Sequence, residues 1–548
     1  MPPPVRPRID QPQAALPLSG PWLWLLCAAW LVAGAIGHDP WKTDDAIHLG
    51  VVVGFLRDGG WLIPKIAGEA WAGTAPLYHW TAAALVWPLQ TLLPLHDAAR
   101  LATTLFGAVT LVALAGTARA LYDREAGLAA PLLAIGTVGL LIPLHDAHPV
   151  AALLACQALS YWGLALLATR PLAGGALLGL GLGGGFLADG VTALAITVPL
   201  LLLIGSRYPK GTSSGARWRD AATWRGVVLA LAIALPLALS WPLALYFENG
   251  AHLAAWWSGE LRQFMPGSAT GAAGDLLELI GWAAFPVWPI AVWALWANRR
   301  RLAEPSMLLP LAGLMLGMLW LFSREARALH ALPALLPLIL LAAAGAGKLR
   351  RGAANALDWF GMMTFTLLAG LIWLGGSAML TGVPPQVAHN FAKLAPGFTA
   401  DLSVTALAVA LAATAGWIVA LTRLPRSPWR AVTHWAIGLA VSWILLIALW
   451  MPWIDYGKSY RPVAASLQAA IPDGSRCIGR SGVGLPQRAS LDYFGGIRTV
   501  GPRKGGRNCP LLLMQGPPHE EAQPGWKKIW EGSRPGDKNE RLRLYRKI

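Results

Sequence analysis

Long apolar runs separated by short polar gaps dominate the chain from Pro21 to Trp453. Each holds roughly 17–25 residues, the length a helix needs to cross a bilayer. The pattern predicts helical spans at 21–37, 98–121, 127–143, 149–168, 172–187, 190–205, 226–247, 275–297, 306–322, 330–346, 358–380, 400–421 and 430–453. One further run, Pro76 to Leu93, is long enough to cross, but Pro88 and Pro94 interrupt it. Counting it as a crossing gives about fourteen helices and puts Arg119 and Arg124 outside. Counting it as an interfacial or re-entrant segment gives about thirteen. The basic loops then all fall inside: Arg119/Arg124, Arg170, Arg207 to Arg225, Arg299 to Arg301, Lys348 to Arg351, and Arg423 to Arg430. Lys and Arg in short loops set orientation, so the second count is adopted.

The flanks differ from the middle. Met1 to Gly20 is Pro-rich with Arg6 and Arg8, and reads as a cytoplasmic tail. The run after it lacks a small-residue cleavage site leading into a soluble domain, so it reads as a retained first helix. Past Trp453 the chain turns polar and rich in Gly and Pro. Ser459 to Ala470 predicts an amphipathic helix; Arg498 to Val500 and Cys509 to Met514 predict short strands. The predicted organisation is a tail over 1–20, a membrane domain over 21–453 with a first outer loop over 38–97, and a small periplasmic α/β domain over 454–548. Cys477 and Cys509 both lie in that domain, where an oxidising compartment makes them a disulfide candidate. Cys27 and Cys156 fall within helices as packing residues.

Composition sharpens the class. Of 548 residues, 55% are hydrophobic and 13% charged. A soluble chain carries about 25% charged residues, so most of this one is out of water: the fold class is a polytopic α-helical membrane protein. The net charge of +16 is assigned to membrane orientation. No basic stripe with interleaved aromatics points to nucleic acid. The run Gly179 to Gly185 has no preceding strand and no lysine in Walker spacing, so it predicts close helix packing rather than a phosphate loop. A transporter would carry charges deep in its spans; here Asp189 stands nearly alone.

The unusual polar residues gather on the outer face. They are Asp44 and Asp45 within Trp41 to His48; Leu144 to Pro149 with Asp146; Trp256 to Phe264 with Glu260 and Arg262; and Ser323 to Arg327 with His330. Charged groups at membrane helix ends are costly unless paired or hydrated, and mark candidate sites. Zinc-ligand spacing and a nucleophile elbow are both missing. A carboxylate can take a proton from an attacking hydroxyl. Arginines can hold a departing phosphate in bidentate fashion. Each group also has a plainer role open to it. Asp44, Asp45 and Asp146 can cap helices. Arg324 and Arg327 can snorkel to the interface, and Trp256 and Trp257 can anchor there.

The first loop resembles the lipid-phosphate-sugar-dependent glycosyltransferases of the GT-C superfamily. The nearest branches look like the lipid A aminoarabinose transferases and the protein O-mannosyltransferases. The likeness lies in Asp44-Asp45, Gly59-Gly60-Trp61-Leu62-Ile63-Pro64, Gly68-Glu69-Ala70 and Thr74-Ala75-Pro76-Leu77-Tyr78-His79-Trp80. It implies a GT-C fold and an inverting transfer of sugar from a polyprenyl-phosphate donor to an envelope acceptor. The acceptor would be a lipid A-like glycolipid or a protein, met on the outer face of a bacterial inner membrane. Asp44 takes the place of the catalytic Asp, with Asp45 and Asp146 in the same set. Lys65, Tyr78, Glu260, Arg262, Arg324, Arg327 and His330 are expected to bind the donor phosphate and sugar.

The departures are specific. Thr74 stands where the family has a phosphate-holding Lys. Asp189 stands at a second Lys, His330 at a Tyr, and Ala326 at a neighbouring Lys. Gly73 replaces the acidic residue near which some relatives hold a divalent metal, so neither a metal nor any other cofactor is expected. The alternative function is a non-catalytic or carrier-type envelope protein that keeps the scaffold. Loss of the lysines favours it; Asp44 and Asp146 oppose it.

Overall fold

The computed structural model describes residues 16–18, 20–41, 43–207, 221–262, 264–265, 274, 277, 279–323, 332–475, 477–517 and 524–548. The chain enters through α1 (Pro21–Val32). The segment between α1 and the long helix that follows folds as α2 (Asp44–Asp58), a small hairpin of β1 (Lys65–Ile66) and β2 (Glu69–Ala70), and α3 (Leu77–Leu89). The bundle continues with α4 (Leu95–Leu121), α5 (Arg124–Ile135), α6 (Val150–Leu166), α7 (Pro171–Asp189), α8 (Val191–Arg207) and α9 (Ala221–Arg262). Next come α10 (Val287–Ala297), α11 (Pro305–Ser323), α12 (Leu332–Ala346) and α13 (Arg351–Thr381). A short amphipathic α14 (Pro385–Leu394), α15 (Val404–Arg423) and α16 (Arg430–Lys458) complete it. Among the described residues, six helices are long and apolar enough to cross a membrane, and α1, α6 and α12 are apolar but shorter.

Three elements refine the predicted spans. The helix α3 has 13 residues with Pro88 inside it. That is about 20 Å, short of a hydrocarbon core of about 30 Å, and it lies against α2 and α4. The span placed at 127–143 is helical only as far as Ile135. Gly136 ends it, a single 3-10 turn follows at Val138–Leu140, and residues 136–149 turn back into the bundle. Irregular backbone is tolerated at such depth only where protein surrounds it. His145 supplies part of that surrounding, contacting the carbonyls of Leu141 and, at 2.7 Å, Trp30. The helix α9 runs past the predicted end at 247 to Arg262, with a break in helical backbone at Asn249.

The glycines of α7 act as the sequence suggests. A Cβ at Gly179 would stand 2.7 Å from the Ala230 carbonyl oxygen of α9, and one at Gly183 would stand 2.7 Å from Leu237 Cβ. Gly181 and Gly174 press against α6 and the turn after it in the same way. Small residues let these backbones approach where no hydrophobic force separates lipid from helix.

The C-terminal unit is an α/β layer. Its helices are α17 (Arg461–Ala470) and α18 (Leu485–Gly495). Its strands are β3 (Ile478–Ser481), β4 (Leu511–Gly516), β5 (Trp526–Gly532) and β6 (Arg541–Lys547), in the order β3-β4-β6-β5. The strands β3 and β4 pair in parallel. Alternation along β4 and β6 sends Leu511, Leu513, Leu542 and Leu544 into one core with Val463, Leu467 and Leu491 of the helices. Of the strand predicted at Arg498 to Val500, only Val500 pairs, in an isolated bridge to Gly479. Cys477 and Cys509 are disulfide-bonded, with Cα atoms 5.2 Å apart.

This unit grips the segment between α1 and α4. Glu69 of the β1–β2 hairpin receives Arg480 and Arg488, each at 2.8 Å. Arg498 joins Asp58 at the end of α2, at 2.8 Å. Asp39 pairs with Arg461 and accepts from Ser459 Oγ at 2.6 Å. Asp455 accepts from the Asp39 amide at 2.9 Å and the Trp41 indole at 2.8 Å. The loop that holds the acidic pair is therefore tied down at both ends.

Candidate active site

The adjacent carboxylates of α2 have opposite surroundings, because successive residues on a helix point about 100° apart. Asp45 turns inward. Its Oδ1 accepts from Arg100 Nε at 3.1 Å and the Ala147 amide at 2.9 Å. Its Oδ2 accepts from Arg100 Nη2 at 2.8 Å and the Trp41 amide at 3.1 Å. Those four donors fill a carboxylate's lone-pair sites. Burial alone would raise the Asp45 carboxyl, but the charge and hydrogen bonds of Arg100 hold it below the usual carboxylate range. Arg100 is itself buried, and its Nη1 donates to the His38 carbonyl at 2.8 Å and to Asp97 at 3.2 Å.

Asp44 turns outward and stands on the wall between two cavities of about 360 Å³ each. His148 also lines both. The first cavity includes His48, Trp71, Thr74, Asp189, Thr192 and Pro333. Among the described residues its lining has no Lys or Arg. The second includes Trp41, Asp45, His145, Asp146 and Lys458. The Lys458 ammonium also sits 5.0 Å from the centre of the Trp41 ring.

The histidines are neutral at pH 7. Burial first, then the neighbouring His148 and His79, press His48 well below its ordinary value. Burial takes His79 down to about 3. It takes His148 down to about 4 although Asp44 and Asp45 pull the other way. Their tautomers follow from hydrogen bonding. The Val150 amide donates to His148 Nδ1 at 3.0 Å, so the proton of the neutral ring is on Nε2, 3.9 Å from Asp44 Oδ2. His48 Nδ1 and His79 Nε2 share a hydrogen bond at 3.1 Å. This braces His48 from behind while it lines the first cavity.

Asp146 is half-buried in the second cavity. Burial, and then the Asp45 charge, push its carboxyl up to about 7. Its backbone is held by a relay: Tyr78 Oη bonds Thr103 Oγ1 at 2.8 Å, and Thr103 donates to the Asp146 carbonyl at 2.8 Å.

Asp44, His48 and His148 each offer a ligand atom, all within 4.8 Å of one another. This trio does not involve Gly73, on which the expectation of no metal rested. A divalent cation would suit the carboxylate and His48. His148 fits poorly. Binding through Nε2 would move its proton to Nδ1, against the Val150 N–H.

The candidate residues divide accordingly. Asp44, Asp45 and Asp146 come together, with Asp45 committed to Arg100. Four expected donor-binding residues lie off both cavities. Lys65 stands on β1 beside Gly60. Tyr78 is buried in its relay to Thr103. Glu260 is buried and accepts from the Val191 amide at 3.0 Å, at the start of α8. Arg262 is exposed at the end of α9. These four stand apart from the linings of the two cavities. Arg324, Arg327 and His330 lie outside the described residues. Arg100, His48 and Lys458 were not anticipated. The Asp44–His48 spacing of four was the available signal, since it places both on one helix face.

The fold is similar to that of solved glycosyltransferases. It matches ArnT from Cupriavidus metallidurans bound to undecaprenyl phosphate with a TM-score of 0.67 at 14% identity, covering 95% of this chain and 97% of that one. The apo state of the same protein gives 0.66 at 14%, with coverage of 95% and 97%. A looser likeness is to the oligosaccharyltransferase AglB from Archaeoglobus fulgidus, at 0.43 and 11% identity over 90% of this chain and 69% of that one. No protein-family model matches the sequence, and no curated protein matches it. The chain is a multi-pass helical membrane protein, and its likeness to these structures is one of fold. In particular, its architecture follows that of ArnT nearly end to end.

Proposed function

We propose that this chain is an inverting glycosyltransferase that moves a sugar from a polyprenyl-phosphate donor to an envelope acceptor, a lipid A-like glycolipid or a protein. It would work on the outer face of a bacterial inner membrane, with about thirteen crossings, a cytoplasmic N-terminus and a periplasmic C-terminal domain. The carrying observation is that Asp44 lines two cavities at once. A reaction joining two membrane-borne substrates needs two chambers that meet at one base. The undecaprenyl phosphate in the similar ArnT structure supports the donor class.

The donor takes the first cavity, beside Thr74, and the acceptor the second. Asp44 accepts the proton of the attacking hydroxyl. The new bond forms between acceptor oxygen and anomeric carbon as the bond from that carbon to the phosphate oxygen breaks, and the phosphate leaves on its polyprenyl chain. His148 Nε2–H faces the Asp44 carboxylate from 3.9 Å. Arg100 and Asp45 fix the start of α2 so that Asp44 faces the gap. Arg324 and Arg327, a few residues before Pro333 of the first cavity, supply charge to the phosphate in place of the missing lysines.

The test is transfer by the purified full chain in lipid, from polyprenyl-phosphate sugars of several kinds to extracted envelope glycolipid and protein. Product from any pair supports the proposal. Failure across all pairs, with folded protein, moves the function to the non-catalytic alternative.

A further inference from the structure

Positive-inside bias explains basic cytoplasmic loops, but not a basic domain on the opposite side. Between Ser459 and Ile548 the sequence has sixteen Lys and Arg against seven Asp and Glu. More than half of the chain's +16 thus belongs to this domain. Several cations there are already used: Arg480 and Arg488 on Glu69, Arg498 on Asp58 and Asp492, Arg534 on Asp537. Others have no carboxylate partner among the described residues: Arg503, Arg507, Lys527, Arg546 and Lys547.

One of these unpaired cations, Arg507, lines a cavity. It is about 380 Å³ and includes Arg480, Ser481, Gly506, Arg507, Leu512 and Trp526 in its lining. Leu512 alternates with the core residues Leu511 and Leu513, so the cavity opens on the sheet face opposite α17 and α18. Trp526 pairs with Lys547 across the β5–β6 ribbon, which sets that ammonium beside the indole on the cavity's face, while Lys527 and Arg546 pair on the other face. Arg503 and Arg507 flank the other side from the two turns at Pro502–Lys504 and Gly506–Asn508. Arg480 joins this cavity to Glu69, two residues before Trp71 of the first cavity.

On the transferase reading above, which places this domain outside, we infer that this cavity binds an anionic saccharide: a sugar bearing phosphate or carboxylate, as the headgroup of a glycolipid acceptor would present. Arg507 holds the anion, the rim cations draw it in, and the half-buried Trp526 offers a flat apolar surface to the sugar ring. A bare lipid phosphate would need the charge but neither the indole nor an enclosed volume of this size.

The test is titration calorimetry on the full chain in nanodiscs of neutral lipid. The probes are a phosphorylated hexosamine disaccharide without acyl chains and its unphosphorylated counterpart; phosphatidylglycerol vesicles form a third arm. The phosphorylated sugar should bind, and the neutral one should bind at least tenfold more weakly. Arg507→Ala should weaken binding by roughly tenfold or more, the loss of one charge-assisted hydrogen bond. Trp526→Ala should weaken it too, while Lys538→Ala, an exposed charge elsewhere on the domain, should not. Arg507 is exposed, so its loss leaves the fold intact, and an unchanged thermal melt checks this. Asp44→Asn should bind like wild type, which separates failure here from failure of the transferase proposal. Equal binding of the neutral sugar, indifference to Arg507→Ala, or binding to the vesicles alone would overturn the inference.

Discussion

Arg100 and Asp45 form a two-pronged ion pair at 2.8 and 3.1 Å, sealed inside the protein between α4 and the start of α2. The pair decides what its neighbour does. With Asp45 held from within, the helix cannot rotate Asp44 away from the gap between the two cavities. Replacing Arg100 by Ala leaves a buried, uncompensated carboxylate, a change that costs about 3–5 kcal/mol. The expected outcome is a large drop in thermal stability in detergent, together with loss of transfer. Stability like that of wild type would show that the pair does not anchor α2.

Asp146 sets an expectation for pH. Its carboxyl, raised to about 7 by burial and by Asp45, is protonated below that pH and ionised above it. Above pH 7 a second negative charge stands in the acceptor's cavity and repels an anionic acceptor. The KM for such an acceptor should therefore rise as pH passes through 7, and Asp146→Asn should keep it flat. The same rise in both proteins would locate the titrating group elsewhere.

The helix contact between α7 and α9 has no spare volume. At Gly179 a Cβ already meets the Ala230 carbonyl oxygen at 2.7 Å and Ile233 Cβ at 2.8 Å. Gly179→Leu should cost about 1–3 kcal/mol or more by overpacking, seen as a lowered melting temperature and poor yield of folded protein. Normal stability would mean that the helices are not in this close contact.

The C-terminal sheet depends on the Cys477–Cys509 bond, which closes a separation of 32 residues. A loop of that size is worth about 3–4 kcal/mol in the chain-entropy model. Reduction, or the Cys477→Ser/Cys509→Ser pair, should lower the unfolding temperature of this domain while the helical bundle melts as before. Insensitivity to reductant would contradict this.

Much of the architecture is visible in the residue pattern, and the reasons are physical. Bilayer thickness sets the run lengths, and Pro88 stands inside the 13-residue α3. The acidic pair Asp44-Asp45 stands out because charge beside a membrane is rare. The partition between those two carboxylates is not visible. It depends on Arg100, which in sequence is merely a basic residue near the start of a span. The inward turn at residues 136–149 was hidden as well, since Leu140 to Leu144 is apolar enough to read as more helix. The His48–His79 contact joins residues 31 apart through a hairpin of two-residue strands, a signal too small for periodicity. Likewise the excess charge after Ser459 is plain in the sequence. Only the fold brings one of its unpaired cations, Arg507, into a cavity with Trp526.

The most direct test of the central claim is transfer of radiolabelled sugar from polyprenyl phosphate to acceptor, comparing wild type with Asp44→Asn. The account predicts transfer by the wild type and a loss of at least a hundredfold in the variant, the scale of a missing general base, with folding and membrane insertion unchanged. Transfer that persists at the wild-type rate in Asp44→Asn would contradict it.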